Sequence, residues 1–500
     1  MSEFKMLGNT RYSAVLIIIV LSVSVLYFMT FRDDHNWGGD FAQYIAQAES
    51  ISEGTLDEMM RISTFRYVNS DDAIQLSPKL YPWGYSVLLA PVYRFFGIDM
   101  VAMKLFTSLF FLLSLPVIYL TFKDRIHGGF GLLLVAVIAF NPFMFSFKEE
   151  IRSDFPFLFF TLLSVYLIKR FVIRRDFLVN QVMSQILLGI AMFMSFSIRG
   201  NGILLLPCLF LAQVMESRTL WAASDKNYLK MTIFLIPYLA FFSLVKVMNF
   251  ILPGGESSYA EMINYLSIQG VRANAVYYSR LLSRFFYTPV QESGMFLYLA
   301  VLPFFFIGLA RRLRRDYLYA AFIVLTLGLF IIYPGRQGLR YILPVIPFFL
   351  YFAFTGLDTV QSKLPRTMGL HRMGTWAVAV ILVLFMHGTG AHIYAQYMGN
   401  RSLDGPYSAE SMEMFKYIRN NTSRDSIIIF FKPRVMTLYT GRLSARTTDF
   451  GKAIRCGADY AVIKRTSTLS LVLKGHETEV EELFSNGEFA VYSLDPERKP

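Results

Sequence analysis

The first hydrophobic run, YSAVLIIIVLSVSVLYFMT at residues 12–30, is followed at once by FRDDHNWGGDFAQYIAQAESISEG at 31–54. A helix needs about 20 mostly apolar residues to cross a hydrocarbon layer of roughly 30 Å, and this run is long enough. No small-residue cleavage site follows, so it reads as an uncleaved anchor rather than a secretory signal. Comparable runs recur near 101–122, 128–147, 155–173, 183–198, 203–217, 229–251, 294–310, 317–333, 341–358 and 374–395, which makes about eleven spans. Composition agrees. Of 500 residues, 54% are hydrophobic and 17% charged, against about 25% charged in soluble domains. That excludes an ordinary cytoplasmic enzyme, and 48 Phe, 29 Tyr and 23 Met exclude a disordered chain. Two cysteines, Cys208 in an apolar run and Cys456 near the C-terminus, make no disulfide framework.

The net charge is +12. In a chain of this class such an excess reflects cytoplasmic anchoring charges, because Lys and Arg concentrate in short inside loops. Nucleic acid is not expected as a partner. With the N-terminus inside, the inside loops hold Lys123 and Arg125, then KRFVIRR (169–175), then RRLRR (311–315), then Lys363, Arg366 and Arg372. Outside fall the loops 31–100, 148–154, 199–202, 253–293 and 334–340, and the last hundred or so residues. The alternative is that 183–217 forms one long interrupted helix, which would invert everything after it and turn RRLRR outward.

The outward segments have texture of their own. After Gly38 and Gly39, the stretch 40–54 has helical period, with Asp40, Gln43, Tyr44 and Gln47 on one face and Phe41, Ala42, Ile45, Ala46 and Ala48 on the other. Such a helix is expected to lie along the membrane surface. YPWGYSVLLAPVYRFFG (81–97), broken by Pro82, Gly84 and Pro91, reads as interfacial. The loop 253–293 is rich in Tyr (Tyr259, Tyr265, Tyr277, Tyr278, Tyr287), which suits headgroup depth. After residue 400 the pattern becomes soluble. Ser408 can cap a helix to about Arg419, and apolar runs at 426–431, 460–465 and 489–494 read as strands of a small α/β domain. The division expected is therefore a transmembrane unit over 1–398, with its large first loop at 31–100, and a soluble unit over 399–500.

Five stretches then carry a resemblance: GGDFAQYIAQA (38–48), YPWGYSVLLAPVYRFFG (81–97), KEEIRSDFPFLFF (148–160), RYILPVIPFFL (340–350) and FFKPRVMTLYTGRLS (430–444). In this order the chain resembles the polytopic glycosyltransferases of the GT-C fold. The likeness is to bacterial relatives of the dolichyl-phosphate-mannose protein mannosyltransferases and of the aminoarabinose transferase that modifies lipid A. The resemblance implies an α-helical polytopic membrane enzyme in the bacterial inner membrane. It would take sugar from a polyprenyl-phosphate donor to a lipid, glycan or protein acceptor on the extracytoplasmic side. It also implies a catalytic base in the first outward loop, and Asp40 is the matching position. Phe41 follows it where relatives often carry an acid or another aromatic, so Asp33 and Asp34 are the alternatives.

Such a transfer needs a base for the incoming hydroxyl, cations on the departing phosphate and an apolar groove for the lipid. Asp40 suits the first role, although it also fits a helix start after Gly39, where it would simply cap. Arg340, Arg336 and Arg199, expected at outer helix ends, suit the second because a guanidinium fork binds two oxygens at once. The plainer role for each is to snorkel to headgroups. Glu149, Glu150 and Asp154, beside Lys148 and Arg152 in the turn 148–154, could gather a divalent cation or hydrogen-bond sugar hydroxyls; equally, the turn's charges could only neutralise one another. Tyr44, Tyr81, Trp83 and Tyr85 are groove-lining candidates or interfacial anchors. No P-loop, zinc spacing or nucleophile elbow is present. Two other classes compete: a lipid or solute transporter, which would show internal symmetry and charges at mid-span, and an O-antigen ligase or polymerase, whose large outward loop is expected late in the chain.

Overall fold

Hydrophobic length dictates most of the architecture. The structure, a computed structural model, describes residues 2–71, 81–222, 232–253, 267–288, 294–333, 335–336, 338–365, 372–398, 404–465, 472–476 and 478–494. Among them eight helices are long and apolar enough to cross a membrane: Thr10–Phe28, Met100–Phe122, Asp154–Ile173, Gln181–Ile198, Gly200–Ser217, Met295–Arg312, Leu339–Gln361 and Met373–Gln396. Three shorter apolar helices, Gly128–Ala139, Ile236–Ile251 and Tyr317–Ile332, take the remaining hydrophobic runs. The run 128–147 is not one helix. Asn141 accepts from the Phe143 and Met144 amides and starts a new short helix at Pro142, because proline is favoured in a first turn where its missing N–H costs nothing.

The ambiguous stretch 183–217 resolves into two helices. A Cβ on Gly202 would lie 2.6 Å from the Phe196 amide nitrogen, so the chain folds back on the helix it has just left. The second helix returns to pack against Ile168–Ile173 and Tyr317–Ile332. Leu339–Gln361 is the most enclosed of the long helices, while Thr10–Phe28 keeps most of its surface open, as a lipid-facing helix would. Leu339–Gln361 and Met295–Arg312 meet backbone to backbone at Gly308 and Gly356, where any Cβ would strike the facing main chain. Small residues permit that approach where lipid gives little hydrophobic drive.

These helices have two distinct ends. At one, Lys169 donates to the Thr121 carbonyl (2.5 Å), Arg174 pairs with Asp124 (2.5 Å), Arg125 with Asp316 (3.4 Å), and Arg312 reaches the Arg125 carbonyl (3.1 Å). Three of the four loops expected inside therefore share one end, and Arg366 of the fourth lies outside the described residues. Met100, Asp154 and Leu339 begin helices at the other end, and Ile198 finishes one there.

The tail forms a five-stranded sheet from β1 (Ile427–Phe430), β2 (Leu443–Ala445), β3 (Tyr460–Lys464), β4 (Glu481–Ser485) and β5 (Phe489–Ser493). Its order is β2-β1-β3-β5-β4, with β1 parallel to β2 and β3, and β5 antiparallel to β3 and β4. Helix Ala409–Asn421 is capped by Ser408 as the sequence indicates. β2 and β4 were not foreseen: the first has three residues and the second reads EELFS, with no apolar alternation.

The first loop is welded to this tail. Trp37 donates to Asp404 (2.7 Å) and its ring packs 5.0 to 6.0 Å from Phe431, Phe430 and Phe489. Asp71 accepts from the Thr447 hydroxyl, the Thr448 amide and Lys452. Helix Gly39–Glu53 lies between Gly84–Phe96 and the tail helix Pro433–Thr440. The expectation of a surface helix with a free polar face is therefore corrected, since Gln43, Tyr44 and Gln47 are as buried as Phe41 and Ile45. Their polar groups are satisfied internally: Gln47 bonds the Tyr81 carbonyl and Ser86, and Gln43 contacts the Met59 sulfur. In the loop 253–293, Tyr259 and Tyr265 lie outside the described residues, and Tyr278 is buried rather than at a surface.

Candidate active site

At the end of the bundle away from the basic clusters, Tyr81, Arg152 and Arg340, from three separate stretches of sequence, meet at Asp40. The residue sits in the first turn of Gly39–Glu53, but its carboxylate turns away from the helix amides. Oδ1 accepts from the Tyr81 hydroxyl (2.6 Å) and Oδ2 from Arg340 Nη1 (2.8 Å), with Arg152 Nε 3.8 Å from Oδ2. The side chain keeps 23% of its surface open. Burial pushes this carboxyl's pKa up, but Arg340, Arg152 and the Tyr81 hydroxyl outweigh it and hold Asp40 well below the usual carboxylate range.

Beside it, Arg199 pairs with Asp154 (2.8 Å) and donates to Ser153 Oγ (3.0 Å), which also meets the Tyr44 hydroxyl (2.9 Å). The ring of Tyr341 lies 4.9 Å from the Arg199 guanidinium and 5.0 Å from that of Arg340. Tyr44 stands edge-on to Tyr81 and Tyr85, at 5.4 and 4.8 Å. Arg434 of the tail donates to the Tyr81 hydroxyl (2.8 Å) and lies 4.4 Å from that ring's centroid. The site thus has arginine-paired carboxylates, of which Asp40 is the most open at 23%, guanidiniums from membrane helices and tail, and an aromatic wall.

The other sequence candidates go elsewhere. Arg336 donates to Asn274 (3.3 Å) and stacks on Tyr277 (5.6 Å), so its guanidinium is not on Asp40. Trp83 bonds the Pro253 carbonyl (2.9 Å) in a cluster with Met59 and Leu252. Tyr85 is wholly buried with its hydroxyl on Thr107, a support for Tyr44 rather than an open groove wall. The proposed carboxylate cluster does not converge, which corrects the cation-site expectation. Glu149 is held by Lys104 (2.7 Å) and Lys148, Glu150 by Asn36 (2.7 Å) and Arg152 (3.3 Å), and Asp154 by Arg199. Among the described residues no group of three or more His, Cys, Asp or Glu side chains could hold a metal ion. Glu149 instead roots the first loop: Lys104 also holds the Arg32 and Asp34 carbonyls, and Lys148 the Thr30 carbonyl. Two buried ammoniums need such a carboxylate, because an uncompensated buried charge is strongly destabilising. Asp34 pairs with Arg32 (2.6 Å) and Asp33 is exposed, whereas Tyr81 and Arg340 both bond Asp40.

His35, stacked 4.0 Å from Phe41, bonds the Asn36 carbonyl through Nδ1 and meets the Ile151 amide at Nε2. Burial pushes its pKa down to about 3, only partly offset by the Asn36 bond. Burial raises the Glu150 carboxyl in the same way, against the pull of Arg152.

Among solved structures, ArnT from Cupriavidus metallidurans in the apo state matches with a TM-score of 0.60 at 14% identity, over 97% of this chain and 98% of that one. The chain has the GT-C fold. ArnT bound to undecaprenyl phosphate matches at 0.60 and 13% identity over the same shares. The Archaeoglobus fulgidus oligosaccharyltransferase tethered with an acceptor peptide matches at 0.57 and 11%, over 98% of this chain and 74% of that one. A family model described as dolichyl-phosphate-mannose-protein mannosyltransferase matches residues 81–243, and the chain resembles that family there. No curated protein sequence matches the chain.

Within this GT-C frame, sequence reading missed Tyr341 and Arg434 as members of the site and saw Arg152 only as a neutralising charge. Tyr341 adjoins Arg340 in the quoted stretch 340–350, and Arg434 stands in 430–444. A charge or hydroxyl repeated beside an already singled-out residue was the available signal for the first, and nothing local marked the second.

Proposed function

We propose that this chain transfers a sugar from a polyprenyl-phosphate-linked donor to an acceptor hydroxyl on the extracytoplasmic face of a bacterial inner membrane. The observation that carries the reading is the Asp40 carboxylate shared between Arg340 and Tyr81, beside the Arg199–Asp154 pair. Undecaprenyl phosphate in one matching structure supports the donor class. The side of the membrane is supported by the basic loops gathered at the opposite end, where the positive-inside rule favours the cytoplasm.

In the step proposed, the acceptor oxygen forms a bond to the anomeric carbon while the bond from that carbon to the phosphate oxygen breaks. Asp40 takes the acceptor's proton, and the departing polyprenyl phosphate carries its new charge to Arg340 and Arg199. At rest Arg340 neutralises Asp40, and this pairing makes the carboxylate a weak base. A donor phosphate competes for the same guanidinium, since the planar fork binds phosphate and carboxylate alike. Donor binding would therefore strengthen the base at the moment it is needed.

Asp40→Asn tests this: transfer should fall by about 10²–10⁴-fold, the usual contribution of a general base, with membrane insertion unchanged. Transfer at the native rate would remove Asp40 from the role. For sidedness, R455C and R315C in a background lacking native cysteines should label from opposite faces, both positions being exposed. Labelling of both from one face would overturn the assignment. Mass comparison of envelope glycans and lipids between cells with and without the gene identifies the sugar and the acceptor.

A further inference from the structure

Arg434, 6% exposed, belongs to the tail yet ends beside the first loop. Its helix Pro433–Thr440 packs on Gly39–Glu53, and its guanidinium both donates to the Tyr81 hydroxyl and covers that ring. A phenol has one proton. With the oxygen accepting from Arg434 at 2.8 Å, that proton is directed to Asp40 Oδ1 at 2.6 Å. The two oxygens of one carboxylate are thus held from different parts of the chain: Oδ1 by the tail through tyrosine, Oδ2 by the membrane-helix arginine. Other groups that face Asp40 are Arg152, Tyr44, Glu150 and Lys432.

We propose that Arg434 is a positioning residue for the transfer: it fixes Tyr81, and through Tyr81 it holds Asp40 by Oδ1 so that Oδ2 is the oxygen presented to the acceptor. This rests on the reading of Asp40 as the base. The physical need is plain. An untethered carboxylate next to a guanidinium turns to the bidentate fork, with both oxygens engaged. The Tyr81 bond keeps Asp40 end-on to Arg340, so displacement of Arg340 by phosphate leaves Oδ2 with only the more distant Arg152 Nε at 3.8 Å. A tail that only covered the site would need no such bond.

The test uses the full chain, with transfer read as product mass signal in membranes of gene-deleted cells at matched protein level. R434A should lower the rate by about 10²-fold, the cost of misplacing a reacting group by roughly 1 Å. Y81F should do the same. Because the two act in series, the double variant should be no worse than either single one, the non-additivity that a double-mutant cycle detects. R434K should recover part of the rate, since an ammonium can donate to Tyr81 but cannot stack as a plane. D71N, which loosens tail docking away from the site, should keep the native rate. Native transfer by R434A, multiplying losses in the double variant, or an equal loss in D71N would each overturn the proposal. Loss in D40N with native transfer in R434A would sink this inference alone, whereas native transfer in D40N would sink the base reading beneath it.

Discussion

At one end of the bundle Arg125, Lys169 and Arg174 meet Asp124 and Asp316; at the other, Arg152, Arg199 and Arg340 meet Asp40, Glu150 and Asp154. The inventories are alike and the surroundings are not. Around the first set, Lys123, Arg175, Arg311, Arg314 and Arg315 stand exposed, as headgroup anchors do. The second set is largely enclosed, stacked on Tyr341 and Tyr81, and its central carboxylate is divided among several donors. Arg125, Asp316 and Lys169 are themselves enclosed and tie helix ends together through the Thr121 and Arg125 carbonyls, whereas Asp40 and Arg340 keep about a quarter of their side-chain surface open, 23% and 24%, so a ligand can reach and re-pair them. Chemistry is therefore expected at one end only.

The comparison breaks first at Arg340. Arg340→Ala should cut transfer by about 10²–10³-fold, the usual cost of removing one donor to developing charge, with lysine restoring only part. An activity loss under twofold, measured as product mass signal, would make Arg340 another anchor. Next is the weld at the same end: Trp37→Ala should destabilise the tail's docking by about 3–5 kcal/mol, as for other large buried aromatics. Faster limited proteolysis of the tail checks this, and native resistance would refute it.

His35 sharpens the contrast through pH. Its folded pKa of about 3 lies below the ordinary 6.5, so the unfolded chain binds the proton first. The stability it contributes is whole above pH 6.5 and falls as the pH drops towards 3, by at most about 1.4 kcal/mol per unit. Thermal melts at pH 7 and 5 should show a smaller drop in His35→Asn than in the native protein; equal drops would contradict this. The smallest effect belongs to the basic end. Arg314→Ser with Arg315→Ser should leave transfer within about twofold, because exposed substitutions rarely exceed about 0.5 kcal/mol. A large loss there would erase the distinction between the ends.

Much of this is legible in the sequence, for physical reasons. Apolar runs of about twenty residues report membrane helices directly, and among the described residues most of the chain's runs coincide with apolar helices. The basic loops share an end because charge that anchors is exposed charge. The carboxylate after Gly38 and Gly39 stands out because its stretch carries the family resemblance and because it opens a helix. What stayed hidden is tertiary. The period of 40–54 separates polar from apolar residues, yet it cannot tell water from the Tyr81 carbonyl as the partner of Gln47. Lys104 reads as the edge of a span, not as the partner of Glu149 forty-five positions away. Arg434 and Tyr81 are separated by 353 positions, and no local pattern links them.

The seating of Trp37 among Phe430, Phe431 and Phe489 has a consequence for biogenesis. Segments emerging early from the ribosome must wait, half-dressed, until the final strands have formed. Only then does the pocket close around the acid. A protein stalled or clipped before its last hundred residues would keep its membrane helices but lose both the seat of Trp37 and the Arg434 bond to Tyr81.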